Sequence, residues 1–445
     1  MKKVVLQKVF LSLGIICINL TQTTHAIDLP SFYRAPGFQL SSQSKMQNWA
    51  TMIAVQGRSG ETKKAYNGQE KSTGLFNTEG PFNIGQIVPY DPSVAGGASN
   101  STNPVPTAAT LAFVDAVYAI APGGQRIPKN GAPFSFNGTF SETDFVFELQ
   151  QNIMLGFYGG IHVPIRTLQI NDISYSTTIP TTDAKYAPLV AVIENQLDPM
   201  LAQNNISPIK TPFNETGLGD IAVFAGWQGR NETASDFIDY ICGGVRLAVT
   251  FPSGSEKDID SVFSLPFGYN GHYGMSARGN VEFGFFKKLA FGGTAGTSIF
   301  LRQTLPRRVK TDLTQNGWIL LNKANVFEDH GHLWDVCGYL KGYLKYGTII
   351  LGYSFCQQEQ TRITIAARDN QDALFKNEII NTDGRLSGWN YQTIHALVRV
   401  DLAPMTNLFC APMLELSYDC PWAGKHAFQT DMVGGKIGLV FTWDF

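Results

Sequence analysis

DMVGGKIGLVFTWDF, residues Asp431 to Phe445, alternates without a break. Val433, Gly435, Ile437, Leu439, Phe441, Trp443 and Phe445 form one set, all apolar or Gly. Gly434, Lys436, Gly438, Val440, Thr442 and Asp444 form the other, smaller or wetter set. A period of two places the sets on opposite faces of a strand. Trp443 and Phe445 end the oily face. Two aromatics at the frayed terminus of a soluble sheet would have little to cover them. On a strand whose outer face meets lipid they would sit at the interface.

The same alternation recurs upstream over lengths that suit a tilted membrane strand. It predicts strands near 47–59, 139–150, 153–166, 217–229, 240–252, 271–286, 289–303, 333–346, 348–361, 388–402, 407–419 and 431–445. In the eighth, Trp334, Val336, Gly338, Leu340, Gly342 and Leu344 oppose Asp335, Cys337, Tyr339, Lys341, Tyr343 and Lys345. In the tenth, Ile394, Ala396, Val398, Val400 and Leu402 oppose His395, Arg399 and Asp401. The fifth and sixth likewise keep Arg246, Arg278 and Glu282 off the apolar face. Lipid would enforce such purity, since an Arg or Lys facing mid-bilayer costs about 2–4 kcal/mol.

The connections sort by parity. Those after strands 2, 6, 8 and 10 are hairpin-short, and that after strand 4 is somewhat longer. The odd-numbered strands are followed by 60–138, 167–216, 253–270, 304–332, 362–387 and 420–430. Short turns alternating with long loops describe an up-and-down barrel with both termini in the periplasm. A soluble sandwich, the rival reading of the alternation, buries its apolar face inward and has no reason to sort its loops. Trp49, Trp227, Trp334, Trp389 and Trp443 fall near strand ends on the apolar register, as interfacial girdles would. Loop 167–216 contains one amphipathic helix, about Ala184 to Gln203, whose stripe of Leu189, Ile193, Leu197, Met200 and Leu201 suits a cap packed on the barrel mouth or a gating or partner-binding helix. Loop 60–138 is long enough to fold in as a constriction.

At the front, Lys2, Lys3 and Lys8 precede an apolar Val9–Leu20 stretch and a Thr24-His25-Ala26 cleavage site, a signal peptide over 1–26. Its core is too short to span as an anchor, and Ile16 before Cys17 does not make a lipobox. A periplasmic segment 27–46 follows, then the barrel over 47–445. Cleavage removes three Lys and no acid, so the formal charge of −2 becomes −5, which excludes a basic nucleic-acid surface. The mature chain has five scattered Cys, Cys242, Cys337, Cys356, Cys410 and Cys420, with no CxxC. They read as apolar filler rather than a disulfide framework or zinc site.

The wetter face carries the candidate solute path: Arg246, Arg278, Glu282, Tyr339, Lys341, Tyr343, Lys345, His395, Arg399 and Lys436. Arg58, Arg166, Arg302, Glu148, Asp220, Asp335, Asp401, Glu415 and Asp444 share that register. Opposite charges on neighbouring strands can pair and brace the wall, or separate ladders of charge can select solutes. The Lys341/Lys345 and Tyr339/Tyr343 patch is the first candidate for solute contact, Arg246 and Arg278 the second. About twelve strands enclose a narrower space than the 16–18 of aqueous porins. His330-Gly331-His332 offers two imidazoles, but the sequence assigns no third ligand, so no metal is expected and no cofactor. No G-x-S-x-G, H-E-x-x-H or phosphate loop occurs, and the chain reads as a non-enzyme.

The C-terminal strand resembles that of Gram-negative outer-membrane β-barrels, which finish on an aromatic. The resemblance implies an outer-membrane location and contact with barrel-assembly machinery through Phe445. Gly217-Leu218-Gly219-Asp220, followed by Val249-Thr250-Phe251-Pro252-Ser253-Gly254, is similar to the GLGD…LPTG pattern of the meta-pathway phenol-degradation-type barrel family, with Phe251 and Ser253 replacing Leu and Thr. Members of that family are outer-membrane barrels presumed to pass small compounds. The expectation is an all-β transmembrane barrel passing small solutes through a narrow charged lumen. The alternative is a non-conducting barrel whose loops bind a partner.

Overall fold

The computed structural model describes residues 49–78, 82–83, 87, 133–177, 187–313, 315, 319–366, 375–401 and 410–443. The signal peptide, segment 27–46, the turn Ala403–Thr406 and Phe445 lie outside them. All twelve expected strands are present: β1 (Trp49–Thr62), β2 (Pro133–Asn152), β3 (Phe157–Thr177), β4 (Ile221–Glu232), β5 (Ile238–Phe251), β6 (Gly274–Phe285), β7 (Leu289–Phe300), β8 (Leu333–Leu344), β9 (Gly347–Gln358), β10 (Trp389–Asp401), β11 (Cys410–Lys425) and β12 (Asp431–Trp443). Each pairs antiparallel with its neighbour in sequence, and β1 pairs with β12 from Trp49↔Trp443 to Glu61↔Asp431. The chain is a closed, twelve-stranded, up-and-down β-barrel.

Closure decides which face is which. Leu247, Val336 and Ile437 point outward at 64 %, 54 % and 63 % exposure, whereas Glu282, Asp335 and His395 point inward at 0 %, 3 % and 2 %. A soluble protein has the reverse arrangement. A polar interior inside an apolar shell is stable only where the shell meets hydrocarbon. Leu340 lies opposite Phe291 near the middle of β8 and is 51 % exposed, so Leu340→Arg should cost about 2–4 kcal/mol of folding free energy into lipid vesicles, measured by urea titration.

At the short-turn end, Ile153, Met154, Leu155, Phe237, Phe286 and Tyr346 are exposed and apolar or aromatic, an interfacial ring. Trp227 Nε1 donates to the Leu155 carbonyl at 3.0 Å, tying β4 to the β2–β3 turn. Trp49, Trp227 and Trp334 are exposed as expected. Trp389 is a correction: it is 3 % exposed and donates inward to Gln358 Oε1, because it shares the odd, inward parity of Tyr391 and His395 on β10 and not the apolar register of Ile394.

The long-loop end departs most from expectation. β2 and β3 are 20 and 21 residues long and pair up to Phe134↔Thr177, so parts of loops 60–138 and 167–216 are wall rather than loop. β11 continues to Lys425, leaving only 426–430 where a longer loop was expected. The extra strand length carries Phe136, Leu168 and Ile170, which with Phe140 join a buried cluster with Leu75, Phe76, Phe213, Phe263, Phe267 and Phe428. The expected helix spans Ala187–Gln203 and seals this cluster with Leu197, Met200 and Leu201. The loops thus form a folded cap with its own apolar core. A second layer, the antiparallel strands Gln303–Val309, Asn322–Asp329 and Arg362–Ile365, lies beside it. Arg308 ties the parts, donating to Asp260 and to the carbonyls of Asn204, Ile259 and Leu321. Burial pushes the Asp260 carboxyl up, yet Lys323 and Arg308 hold it below the usual carboxylate range.

Candidate functional site: the barrel interior and its mouth

Period-two alternation delivers every second side chain of each strand to the interior. Nearly all the charges there meet an opposite charge across one or two strands. Arg58 and Arg166 flank Asp144 at 3.2 and 3.4 Å, linking β1, β2 and β3. Lys436 of β12 and His162 of β3 flank Glu148 at 2.5 and 3.3 Å. Arg399 holds Glu415 at 2.7 and 3.0 Å between β10 and β11. Arg278 reaches from β6 over β7 to Asp335 of β8, at 2.6 and 3.2 Å. Gly296 of β7 makes this reach feasible: a Cβ there would lie 2.7 Å from Asp335 Oδ1.

The patch predicted as the first solute contact is instead a closed network. Glu282 accepts from Tyr240 at 2.7 Å, Tyr339 at 2.8 Å and Lys341 at 2.6 Å. Tyr343 adds a 2.7 Å bond to Tyr240, and the Arg230 guanidinium lies 3.8 Å over the Tyr240 ring. The rings lie along the wall because Gly284 and Gly292 offer no Cβ where Tyr240 and Tyr339 cross. Lys341 is 5 % exposed, so this lysine braces strands β5 to β8 and is not displayed to solute. Lys345 corrects the register outright: it lies in the two-residue turn after β8, exposed beside Tyr346. Arg302 lies beyond β7, 76 % exposed, paired with Asp329. The side chains of Asp401 and Asp444 lie outside the described residues.

His395 is inward, as predicted. Its Nδ1 meets Asp419 Oδ1 and its Nε2 meets Ser354 Oγ, both at 2.7 Å. The connectivity is that of a hydrolytic triad, but the three residues sit on adjacent strands β9, β10 and β11, whose backbone N–H groups are used in the ladder. The contacts link three neighbouring strands of the wall. Tyr240, Asp144, Ser354 and Asp419 were not singled out from sequence, although each falls on the inward register of its strand.

The second predicted patch remains on the lumen wall. Arg246 and Arg278 are direct cross-strand partners, and the Arg246 guanidinium stands 5.1 Å over the Phe224 ring. Phe224 also packs Tyr158 and His162. The Arg246 guanidinium thus stands on an aromatic floor, beside an Arg278 whose charge is met by Asp335.

The mouth is filled by the connection between β5 and β6. Val262 to His272 is buried throughout. Phe263 packs on Phe76 and Phe136, at 4.3 and 5.9 Å between rings. The Phe267 carbonyl accepts from Arg166 at 3.4 Å, an inward residue, so this segment turns down into the cylinder. The Gly217–Asp220 and Ser253–Gly254 motif holds it there. Asp220 accepts from the Gly254 and Tyr269 amides at 3.0 and 2.6 Å. Ser253 Oγ donates to the Gly219 carbonyl at 2.8 Å and accepts from the Ile221 amide at 2.9 Å. Gly268 is required, since any Cβ would collide with the Asp220 carboxylate. The sequence allows loop 60–138 to fold in as a constriction, and most of that loop lies outside the described residues; among the described residues, 262–272 is the buried segment at the mouth.

No protein-family model matches the chain, and no curated protein matches it. Among solved structures, an outer membrane channel from Pseudomonas putida F1 is similar at 8 % identity, covering 88 % of this chain and 96 % of that one, with a TM-score of 0.47. The translocator domain of the autotransporter NalP from Neisseria meningitidis is similar at 10 % identity over 88 % of each chain, TM-score 0.32. The toluene transporter TodX of Pseudomonas putida shares 7 % identity, over 95 % of this chain and all of that one (100 %), TM-score 0.31. These likenesses are remote, and the architecture of this chain rests on its own strand register.

Proposed function

We propose that the chain is exported, inserts in a Gram-negative-type outer membrane with its long loops outside, and passes small solutes by diffusion. The observation that supports this most is the polar inner wall enclosed by an apolar outer shell. Arg246 and Arg278 are the solute contacts in this reading, and they favour small anionic or aromatic molecules through charge and guanidinium–π attraction. The β5–β6 connection is the gate, because it fills the mouth yet is held by a few hydrogen bonds and ring contacts. Its release would open the path without unfolding the wall.

Planar-bilayer recording of the folded full-length chain tests this. Discrete conductance steps are expected, and Arg246→Ala should shift the reversal potential in a salt gradient toward cation selectivity. Silence from a well-folded sample would overturn the channel reading and favour a surface barrel whose cap binds a partner.

A further inference from the structure

His330 lacked companions in sequence; the fold supplies two. Glu328 precedes it by two residues on the same register, and His272 arrives from the mouth-filling connection. The three are buried, and one ligand atom from each lies within 4.8 Å of the others. His330 Nε2 is 3.5 Å from Glu328 Oε1 and His272 Nε2 is 4.0 Å from Glu328 Oε2. Ligands about 2.0–2.1 Å from a tetrahedral ion stand roughly 3.4 Å apart, so the His330–Glu328 pair is already at ligand spacing and His272 has to close in. We propose that His272, Glu328 and His330 form a binding site for a divalent transition-metal ion of the zinc class, which ties the mouth-filling β5–β6 connection to the outer sheet.

Each ligand is already oriented by a group behind it, as metal ligands commonly are. His272 Nδ1 meets the Leu301 carbonyl at 2.9 Å. A carbonyl only accepts, so Nδ1 carries a proton, which leaves Nε2 as the nitrogen that can offer a lone pair to a metal in the cluster. That Nε2 has no hydrogen-bond partner among the described residues, in a side chain that is 0 % exposed. Leaving it so costs free energy, and a bound cation would remove the cost. His330 Nδ1 is held by Thr361 Oγ1 at 3.3 Å. Arg307 grips Glu328 at 2.6 and 2.8 Å. The guanidinium takes one lone pair on each oxygen and leaves the other for a metal. Two left-handed turns set the approach: Asn270-Gly271, at φ 51° and 87°, before His272, and Gly331, at φ 68°, after His330. Two imidazoles and one carboxylate suit zinc, copper or nickel over calcium or magnesium. His332 is exposed and stacks on Trp334, away from the cluster.

The test is titration of the chelator-stripped, detergent-folded full chain with Co2+, read by visible absorption and competed by Zn2+. One Co2+ per chain with the intense bands of a four- or five-coordinate site is expected. His272→Gln and His330→Gln should each weaken binding at least tenfold, and His332→Ala should leave it unchanged. Absence of a saturable Co2+ band in the folded wild type would overturn the site, as would wild-type affinity in both Gln variants. Wild type alone also decides the ligand set: X-ray absorption of the zinc-loaded chain should show imidazole scattering, and an all-oxygen shell would sink the assignment.

Discussion

Replacing Lys341 by Met should destabilise the barrel by about 3–5 kcal/mol, the usual consequence of leaving a buried charge without its partner. Glu282 is fully buried and its carboxylate has Lys341 as its cation, at 2.6 Å. Without the ammonium, the carboxylate would keep only tyrosine hydroxyls and would face a low-dielectric wall. The double change Lys341→Met with Glu282→Gln removes both charges and retains an amide oxygen for Tyr240 and Tyr339. It should recover most of the loss, because a buried pair replaced as a unit is often neutral. Urea-induced unfolding in vesicles, followed by tryptophan fluorescence and the gel-mobility shift, gives the cycle. Equal stability of Lys341→Met and wild type would show that the network does not hold the wall.

Asp220→Ala should release the β5–β6 connection from the mouth. Two amides lose a charged acceptor, at 3.0 and 2.6 Å, and each such bond contributes on the order of 1.5–3 kcal/mol. A net loss of about 3 kcal/mol raises the undocked population roughly a hundredfold. Limited proteolysis should then cut within 253–270 while the strands remain protected. In bilayers the same variant should show larger or more frequent openings. Uncut loops in Asp220→Ala would mean that the ring contacts of Phe263 and Phe267 hold the segment by themselves. The motif that resembles another barrel family therefore has a mechanical reason here: its glycines allow the segment to approach and its acid accepts the segment's amides.

The strands were legible because lipid imposes a rule on every second residue. Charge cannot face hydrocarbon, so Val433, Ile437 and Leu439 announce one face and Lys436 the other. The inward positions of Arg246, Arg278, Glu282, His395 and Arg399 followed at once from that parity. Their roles did not. Lys341 read as a solute contact because alternation reports only which side a residue is on, not whom it meets. Its partner, Glu282, lies two strands away across β7. Lys345 and Arg302 were misplaced because β8 and β7 end before them, where alternation no longer dictates a face, and Trp389 because a girdle was read from its nearness to a strand end and not from its parity with His395.

Parity of side chains and of loop lengths, both one-dimensional properties, were enough to determine a closed barrel of twelve strands with long loops at one end. Which inner charges are neutralised, which segment fills the mouth, and the meeting of His272 with Glu328 and His330 were decided only by the tertiary structure. Those contacts join residues tens to hundreds of positions apart, through wall curvature, strand stagger and gaps left by glycine, and no local pattern in the chain encodes such distances.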